Sequence, residues 1–158
     1  MKIRDLTPKD YPMALALLRQ TFSGSNYELR LFENLHKKGK HLHEWVCIHR
    51  NKVIAYIAYS NAFNGKEVCG LHLALLAVTT NMQNQGIGSE LLRFSLRQKE
   101  IREKPLFVLG DPNFFMKFGF EKCTMAICPF DKKNEHFLSL RNNTPGTFTI
   151  GYEPEFLR

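Results

Sequence analysis

The chain has 158 residues, of which 44% are hydrophobic and 23% charged, and this length and composition are typical of a single globular domain covering 1–158. No apolar run reaches the roughly 20 residues of a membrane-spanning helix, and residues 1–10 lack the apolar segment of a signal peptide, so we expect a cytoplasmic protein without membrane contact. The formal net charge of +7 is typical of nucleic-acid-binding proteins, but no helix-turn-helix or RNA-binding signature is present, and we expect no nucleic-acid partner.

The four cysteines are Cys47, Cys69, Cys123 and Cys128, and no two of them form a C-x-x-C pair. Three of them lie in apolar segments that are typical of strands. The separation between Cys123 and Cys128 is wider than in an ordinary zinc knuckle. We therefore predict reduced, mostly buried thiols and no metal site.

The N-terminal part of the chain predicts one strand followed by two helices. Residues 1–6 alternate in the manner of a strand. Thr7 precedes a proline, and Asp10 follows three positions later, which is a good start for a helix. A second helix is predicted from Ser25, and Gly39 ends it. Both helices repeat apolar residues every three to four positions, so each buries one face against a core.

The rest of the chain alternates between strand-like segments and short polar segments, which indicates a mixed α/β fold. Strands are predicted at 44–48, 53–60, 68–78 and 105–109. A brief helix is predicted over 112–118. Two last strands are predicted at 120–128 and 146–152, joined by a polar loop at 131–143. No repeat or linker interrupts the chain.

The most informative stretch runs from the end of the fourth predicted strand, 68–78, into the long helix that follows it. Apolar residues 73–78 are followed by the polar segment 79–84, then by Gly86 and Gly88, and then by a helical apolar pattern. The first backbone N–H groups of such a helix are unpaired and lie at the positive end of its dipole, so they suit a phosphate. A tight connection without a ligand is the alternative. The spacing matches neither an NTPase P-loop nor the G-x-G-x-x-G of dinucleotide-binding folds.

The segment 83–88, QNQGIG, fits the Q/R-x-x-G-x-G/A signature of the GNAT superfamily of acyl-CoA-dependent N-acetyltransferases, which the chain therefore resembles. The segment 110–120, GDPNFFMKFGF, resembles a second block of one GNAT branch, in which a short helix ends in Phe-Gly-Phe. The resemblance implies a mainly antiparallel, twisted sheet of six to seven strands with about four flanking helices. It also implies a splayed pair of parallel strands at the cofactor cleft.

The resemblance further implies acetyl-CoA as the cofactor. Its pantetheine amides would pair with backbone groups of Ala77, Val78 and Thr79 as a strand does. Its pyrophosphate would be held by backbone amides of the glycine loop, contributed by Gln83, Asn84, Gln85, Gly86, Ile87, Gly88 and Ser89. The hydroxyl of Ser89 either binds a phosphate as well or only caps the helix.

His72 is the candidate general base. It precedes Ala77 by five residues on the central strand, and at the matching position several GNAT enzymes have a carboxylate that acts as the base. A histidine pKa near 6.5 suits proton transfer at neutral pH. The alternative is a structural histidine whose ring is satisfied by a neighbour. Glu28 and Glu67 are weaker candidates for the base. In GNAT enzymes the region equivalent to the second predicted helix forms part of the wall of the acceptor pocket. The resemblance therefore implies four candidate acceptor contacts on this helix: Tyr27, Glu28, Phe32 and Glu33.

The sequence departs from the GNAT pattern at the general acid. Many members carry a tyrosine four residues before the glycine of the Gly-Phe ending, and here that residue is Phe115. Two functions follow as alternatives. One is transfer of an acetyl group to the primary amine of a small molecule or peptide. In that case the thiol of CoA, a good leaving group, departs without protonation by a general acid of the enzyme. The other is a catalytically weak acyl-CoA-binding sensor. Dimerisation through the C-terminal strand region is left open.

Overall fold

The computed structural model describes residues 1–157, and Arg158 lies outside the described residues. The helices are α1 (Tyr11–Thr21), α2 (Tyr27–Lys37), α3 (Ile87–Arg97) and α4 (Pro112–Phe115). The strands are β1 (Lys2–Asp5), β2 (Leu42–His49), β3 (Lys52–Asn64), β4 (Glu67–Val78), β5 (Leu106–Leu109), β6 (Glu121–Lys122), β7 (Ala126–Ile127), β8 (Phe137–Leu140) and β9 (Phe148–Thr149).

Seven of these strands form one sheet in the order β1-β2-β3-β4-β5-β8-β6. All neighbours in this sheet are antiparallel except β4 and β5, which run parallel. The predicted α/β architecture, with a mainly antiparallel sheet, about four helices and one parallel pair, is thus confirmed. The remaining strands β7 and β9 pair in parallel as a separate two-stranded sheet.

The helices pack on both faces of the large sheet. Leu17 of α1 and Phe32 of α2 are buried with Tyr56 of β3 on one face. Leu91 of α3 is buried with Ile57, also of β3, on the other face. Strand β3 is therefore covered on both sides, which explains why its sequence is a nearly continuous apolar run rather than an alternating one.

The parallel strands β4 and β5 separate soon after they meet. Their paired positions are Leu71 with Leu106 and His72 with Phe107, and no pair follows in the part of the chain that the structure describes. Strand β4 continues to Val78 along β3 alone. Because β4 runs on without its parallel partner, one edge of its C-terminal half faces an open gap, as the predicted splayed pair requires.

A β-bulge lies in β4 close to the point of separation. Ala58 of β3 is opposite Leu75 and Tyr59 is opposite Leu73, so Ala74 has no opposite residue. A bulge of this kind bends the strand and redirects its neighbouring backbone groups, and bulges are frequent beside active sites.

The C-terminal part differs from the sequence prediction. Strand β8 lies inside the segment 131–143, which was predicted to be a loop, and pairs with β5 and β6. The strand is four residues long, and only Phe137 and Leu138 are fully buried, so its apolar pattern is too short to stand out from a polar surrounding. The predicted strand 120–128 is divided into the two short strands β6 and β7.

Candidate active site

The loop between β4 and α3 has the backbone geometry of an anion site. Asn84 and Gly86 have positive φ angles of 63° and 84°, and α3 begins directly afterwards at Ile87. Among the described residues 1–157, the backbone N–H groups of segment 83–86 donate no hydrogen bond to a backbone carbonyl. These unpaired donors and those of the first turn of α3 lie at the positive end of an 11-residue helix, which favours a bound phosphate.

The space above Gly86 is open. A Cβ atom added to Gly86 would meet no atom within 4 Å, whereas one added to Gly88 would lie 3.5 Å from Cγ2 of Val78. Glycine at 86 is required by the left-handed backbone, and its missing side chain leaves the amides accessible. The loop therefore fits a diphosphate sterically as well as electrostatically.

A pocket of about 810 Å³ extends from this loop into the gap between β4 and β5. Its walls are residues 73–78 of β4, the glycine loop, the end of β5, and α4 with its neighbour Lys117. This volume lies in the ordinary range for small-molecule and cofactor sites. Most of the predicted cofactor residues line it: Ala77, Val78, Gln83, Asn84, Gly86, Ile87, Gly88 and Ser89.

Two of the predicted cofactor residues do not line this pocket. The Thr79 hydroxyl donates a hydrogen bond of 2.7 Å to Oε1 of Gln20 and faces a neighbouring depression. Gln85 is exposed, and its side-chain amide lies 3.5 Å from the carbonyl oxygen of Asn81. The backbone N–H of Thr79 donates to the Ile54 carbonyl at 2.8 Å, and its carbonyl oxygen accepts from the Met82 amide at 3.0 Å. The backbone of Gln85 therefore remains a candidate for a cofactor contact, whereas both backbone groups of Thr79 are already paired.

A second pocket of about 500 Å³ adjoins the first. The two share Glu28 of α2, residues 73–75 of β4, and Leu109 at the end of β5, so they meet at the bulge of Ala74. The rest of the smaller pocket is mostly aromatic and aliphatic, and consists of Tyr27, Leu31, His72, Phe130, Tyr152 and Phe156. A larger groove and a smaller pocket with a partly apolar wall thus meet beside the bulge.

His72 lies in the wall of the smaller pocket and is only 2% exposed. Its Nε2 is 3.0 Å from the carbonyl oxygen of Gly151, to which it donates, and its ring stacks on Tyr152 at 3.8 Å between centroids. Burial lowers the pKa of His72 to about 4, against a smaller opposing effect of the Gly151 carbonyl. The ring is therefore neutral at pH 7 and fixed in orientation, with Nδ1 as its proton-accepting nitrogen.

Glu28 lies at the junction of both pockets. Its carboxylate oxygen Oε1 is buried and has no hydrogen-bond partner among residues 1–157. Of the other acceptor candidates of α2, Tyr27 also lines the smaller pocket, but two do not. Phe32 is buried in the core beneath the helix, and Glu33 is exposed outside both pockets.

No tyrosine hydroxyl stands where many GNAT enzymes carry their general acid. Phe115 is 7% exposed, lines the larger pocket and packs edge-to-face against Phe114 and Phe120. The hydroxyls of the smaller pocket are engaged elsewhere. That of Tyr27 donates to the Phe156 carbonyl at 2.6 Å, and that of Tyr152 lies 3.2 Å from Sγ of Cys128.

Several pocket residues were missed by the sequence analysis. Phe130, Tyr152 and Phe156 come from the C-terminal part of the chain, and Ala74 has only its position in the bulge to distinguish it. Local sequence carries no signal for any of them, because each belongs to the site through long-range packing.

Residues 1–157 contain no group of three or more His, Cys, Asp or Glu side chains that could hold a metal ion. No helix among them is both long and apolar enough to cross a membrane.

Comparisons with known proteins agree with this geometry. A sequence model of the acetyltransferase (GNAT) domain matches residues 40–122. The chain is 32% identical over 124 residues to a protein of Escherichia coli K12 described as an uncharacterized N-acetyltransferase, YhbS, and this match covers 77% of the chain and 74% of YhbS.

Solved structures show the same fold. The structure of E. coli YhbS in complex with CoA superposes with a TM-score of 0.90 at 27% identity, covering 99% of this chain and 92% of that one. A GNAT-family acetyltransferase from Brucella melitensis in complex with acetyl-CoA gives a TM-score of 0.81 at 23% identity, covering 98% and 97%. The glycine loop, the splayed strands and the matched domain lead to one conclusion: the chain belongs to the GNAT acetyltransferase family.

Proposed function

We propose that the protein transfers an acetyl group from acetyl-CoA to the primary amine of a small acceptor. The observation that carries this proposal is the row of free amides at 83–86, which borders the pocket in the gap between β4 and β5. The far end of that pocket meets a second one at residues 73–75. The crystallised relatives support the cofactor, since one was solved with CoA and another with acetyl-CoA.

Each part of the larger pocket has a role in holding the cofactor. The amides of the glycine loop and the first turn of α3 would bind the pyrophosphate. The edge of β4 at Ala77 and Val78, which has no parallel partner strand, would pair with the amides of the pantetheine arm as an added strand pairs with a sheet edge. The Val78 carbonyl oxygen accepts a hydrogen bond of 2.9 Å from Nε2 of Gln83, and the pantetheine arm would replace that donor. The pantetheine arm would then run along β4 toward Ala74.

Acetyl-CoA supplies the acetyl group as a thioester. The amine nitrogen forms a bond to the carbonyl carbon, the carbon–sulfur bond breaks, the nitrogen loses a proton, and the sulfur departs as thiolate and is protonated. We assign His72 the role of accepting the proton from the amine, because its ring is neutral at pH 7 and lines the acceptor side of the junction. The bulged backbone at Ala74 is the candidate donor to the oxyanion.

A catalytically weak acyl-CoA-binding sensor is the second candidate function. Two observations favour it. Phe115 replaces the usual tyrosine acid, and the low pKa of His72 makes that ring a weak base. A thiol with a pKa near 8.5 leaves well without an acid, which is why we place the transferase first.

Thiol release from acetyl-CoA in the presence of a panel of primary amines, together with CoA binding by calorimetry, separates these functions. We expect CoA binding and amine-dependent release. Binding without release on any amine would favour the sensor, and absence of CoA binding would overturn both.

The role of His72 has its own kinetic test. We expect His72→Ala to lower turnover more at neutral pH than at high pH, where amines lose their proton unaided. An equal loss at every pH would remove His72 as the base.

A further inference from the structure

We propose that the carboxylate of Glu28 binds the ammonium group of the acceptor, and that this acceptor is a primary amine on a compact apolar or aromatic body. The proposal rests on the acetyltransferase function proposed above and assigns it a substrate class. The sequence made Glu28 a weaker candidate than His72 for the general base and one of four candidate acceptor contacts on α2.

The first observation is the unpaired oxygen of Glu28. Burying a carboxylate oxygen without a hydrogen-bond partner is unfavourable, so native proteins rarely retain one unless a ligand or water completes it. In residues 1–157, Oε1 of Glu28 has no such partner. The other acidic residue of the larger pocket, Asp111, is already engaged, because it accepts a hydrogen bond of 3.0 Å from the amide of Asn113.

The second observation is the position of Glu28 relative to the reaction. It lines both pockets, together with residues 73–75 of the bulged segment of β4. An ammonium group bound by Glu28 therefore lies where the acceptor pocket opens into the cofactor groove. This is where the acceptor nitrogen has to be held for transfer. The bound ammonium group first gives one proton to the Glu28 carboxylate or to water, and the neutral amine that results attacks the thioester and loses its second proton as described above.

The third observation is the character of the smaller pocket. Among the described residues that line it, Glu28 is the only acidic one. Leu31, Phe130 and Phe156 are among the side chains that give the pocket an apolar part, and the rest of its wall is polar. The titratable groups that face it are Tyr27, His72 and Tyr152; burial raises the pKa of the Tyr152 hydroxyl and lowers that of His72, so neither ring carries a charge at pH 7.

This combination discriminates between classes of amine. A single carboxylate balances one ammonium group, and the aliphatic and aromatic part of the wall binds an apolar body. Polyamines and aminoglycosides carry several ammonium groups, and the extra ones would be desolvated without partners in a chamber of about 500 Å³. We therefore expect monoamines with a ring or short hydrocarbon body to be preferred.

The experiment compares 2-phenylethylamine, spermidine and kanamycin as acceptors for acetyl-CoA, with the intact chain and two variants. Glu28→Gln removes the charge at nearly constant shape, and Glu33→Gln makes the same change at an exposed position of α2. We expect the highest kcat/KM with 2-phenylethylamine. We expect Glu28→Gln to raise its KM about 10- to 100-fold, the range for a lost charged hydrogen bond, and Glu33→Gln to leave it unchanged.

Calorimetric titration of 2-phenylethylamine into the protein provides a readout that needs no turnover. Weaker amine binding in Glu28→Gln than in Glu33→Gln, with equal CoA affinity in both, supports the proposal. Equal amine binding in the two variants, or better use of spermidine or kanamycin, overturns it. Failure of the acetyltransferase function itself would appear differently, as loss of CoA binding or of thiol release in the unmodified protein.

Discussion

Replacing Gly86 by glutamate tests the phosphate site most directly. Gly86 has a φ of +84°, and an added side chain would enter the open cleft rather than displace protein atoms. The left-handed backbone costs a non-glycine residue about 1–2 kcal/mol of folding stability. A carboxylate about 4 Å from one phosphate charge would add about 4 kcal/mol of repulsion at an effective dielectric constant of about 20, roughly a 1000-fold loss of affinity.

Gly65 provides the matched control for this substitution. It lies in the turn between β3 and β4, has a φ of +63°, and an added Cβ would also meet nothing within 4 Å. Gly65→Glu should therefore lose a similar amount of unfolding free energy while CoA affinity is unchanged. Gly86→Gln adds the size without the charge, and we expect it to bind CoA more tightly than Gly86→Glu.

Calorimetric titration with CoA and urea denaturation of each variant supply the two measurements. We expect the affinity of Gly86→Glu for CoA to fall at least 100-fold, with an unfolding free energy close to that of Gly65→Glu. A folded Gly86→Glu protein that binds CoA as tightly as Gly65→Glu would refute the phosphate site.

Two further predictions concern pH and stability. The pKa of His72 is about 4 in the folded protein and near 6.5 in the unfolded chain. Between these two pH values the unfolded chain therefore binds more protons than the folded protein. The free energy of unfolding should fall by up to about 3 kcal/mol as the pH drops through this window. His72→Asn should remove that part of the pH dependence, measured by urea denaturation between pH 7 and pH 4; an unchanged dependence would contradict the assignment. The Arg4 guanidinium, with contacts of 2.7 and 2.9 Å, holds the pKa of buried Asp10 well below its usual range. Asp10→Asn should therefore cost about 2–3 kcal/mol at pH 7, and this loss should shrink as the pH falls below about 4, where the unfolded carboxylate becomes protonated; a pH-independent loss would exclude the ion pair as its cause.

Local sequence patterns were sufficient for the elements that form the cofactor groove. The apolar run 73–78, the glycines at 86 and 88, and the helical pattern after them predicted a strand, a turn and a helix, and the structure has them as β4, the loop and α3. The capping pair of Thr7 and Asp10 likewise predicted a helix start, and the Asp10 carboxylate accepts the Thr7 amide at 2.8 Å. Such features depend on neighbours within a few residues, so the sequence states them directly.

The sequence alone thus determined the strand–turn–helix of the glycine loop and, through the motifs it carries, the resemblance that implied the sheet. Only the tertiary structure decided what surrounds the acceptor. It places Tyr152 against His72 and brings Glu28 of α2 beside residues 73–75 of β4. It also inserts β8 next to β5. These contacts join segments far apart in the chain, and burial by distant residues, rather than local periodicity, sets the pKa of His72 and leaves one oxygen of Glu28 without a partner.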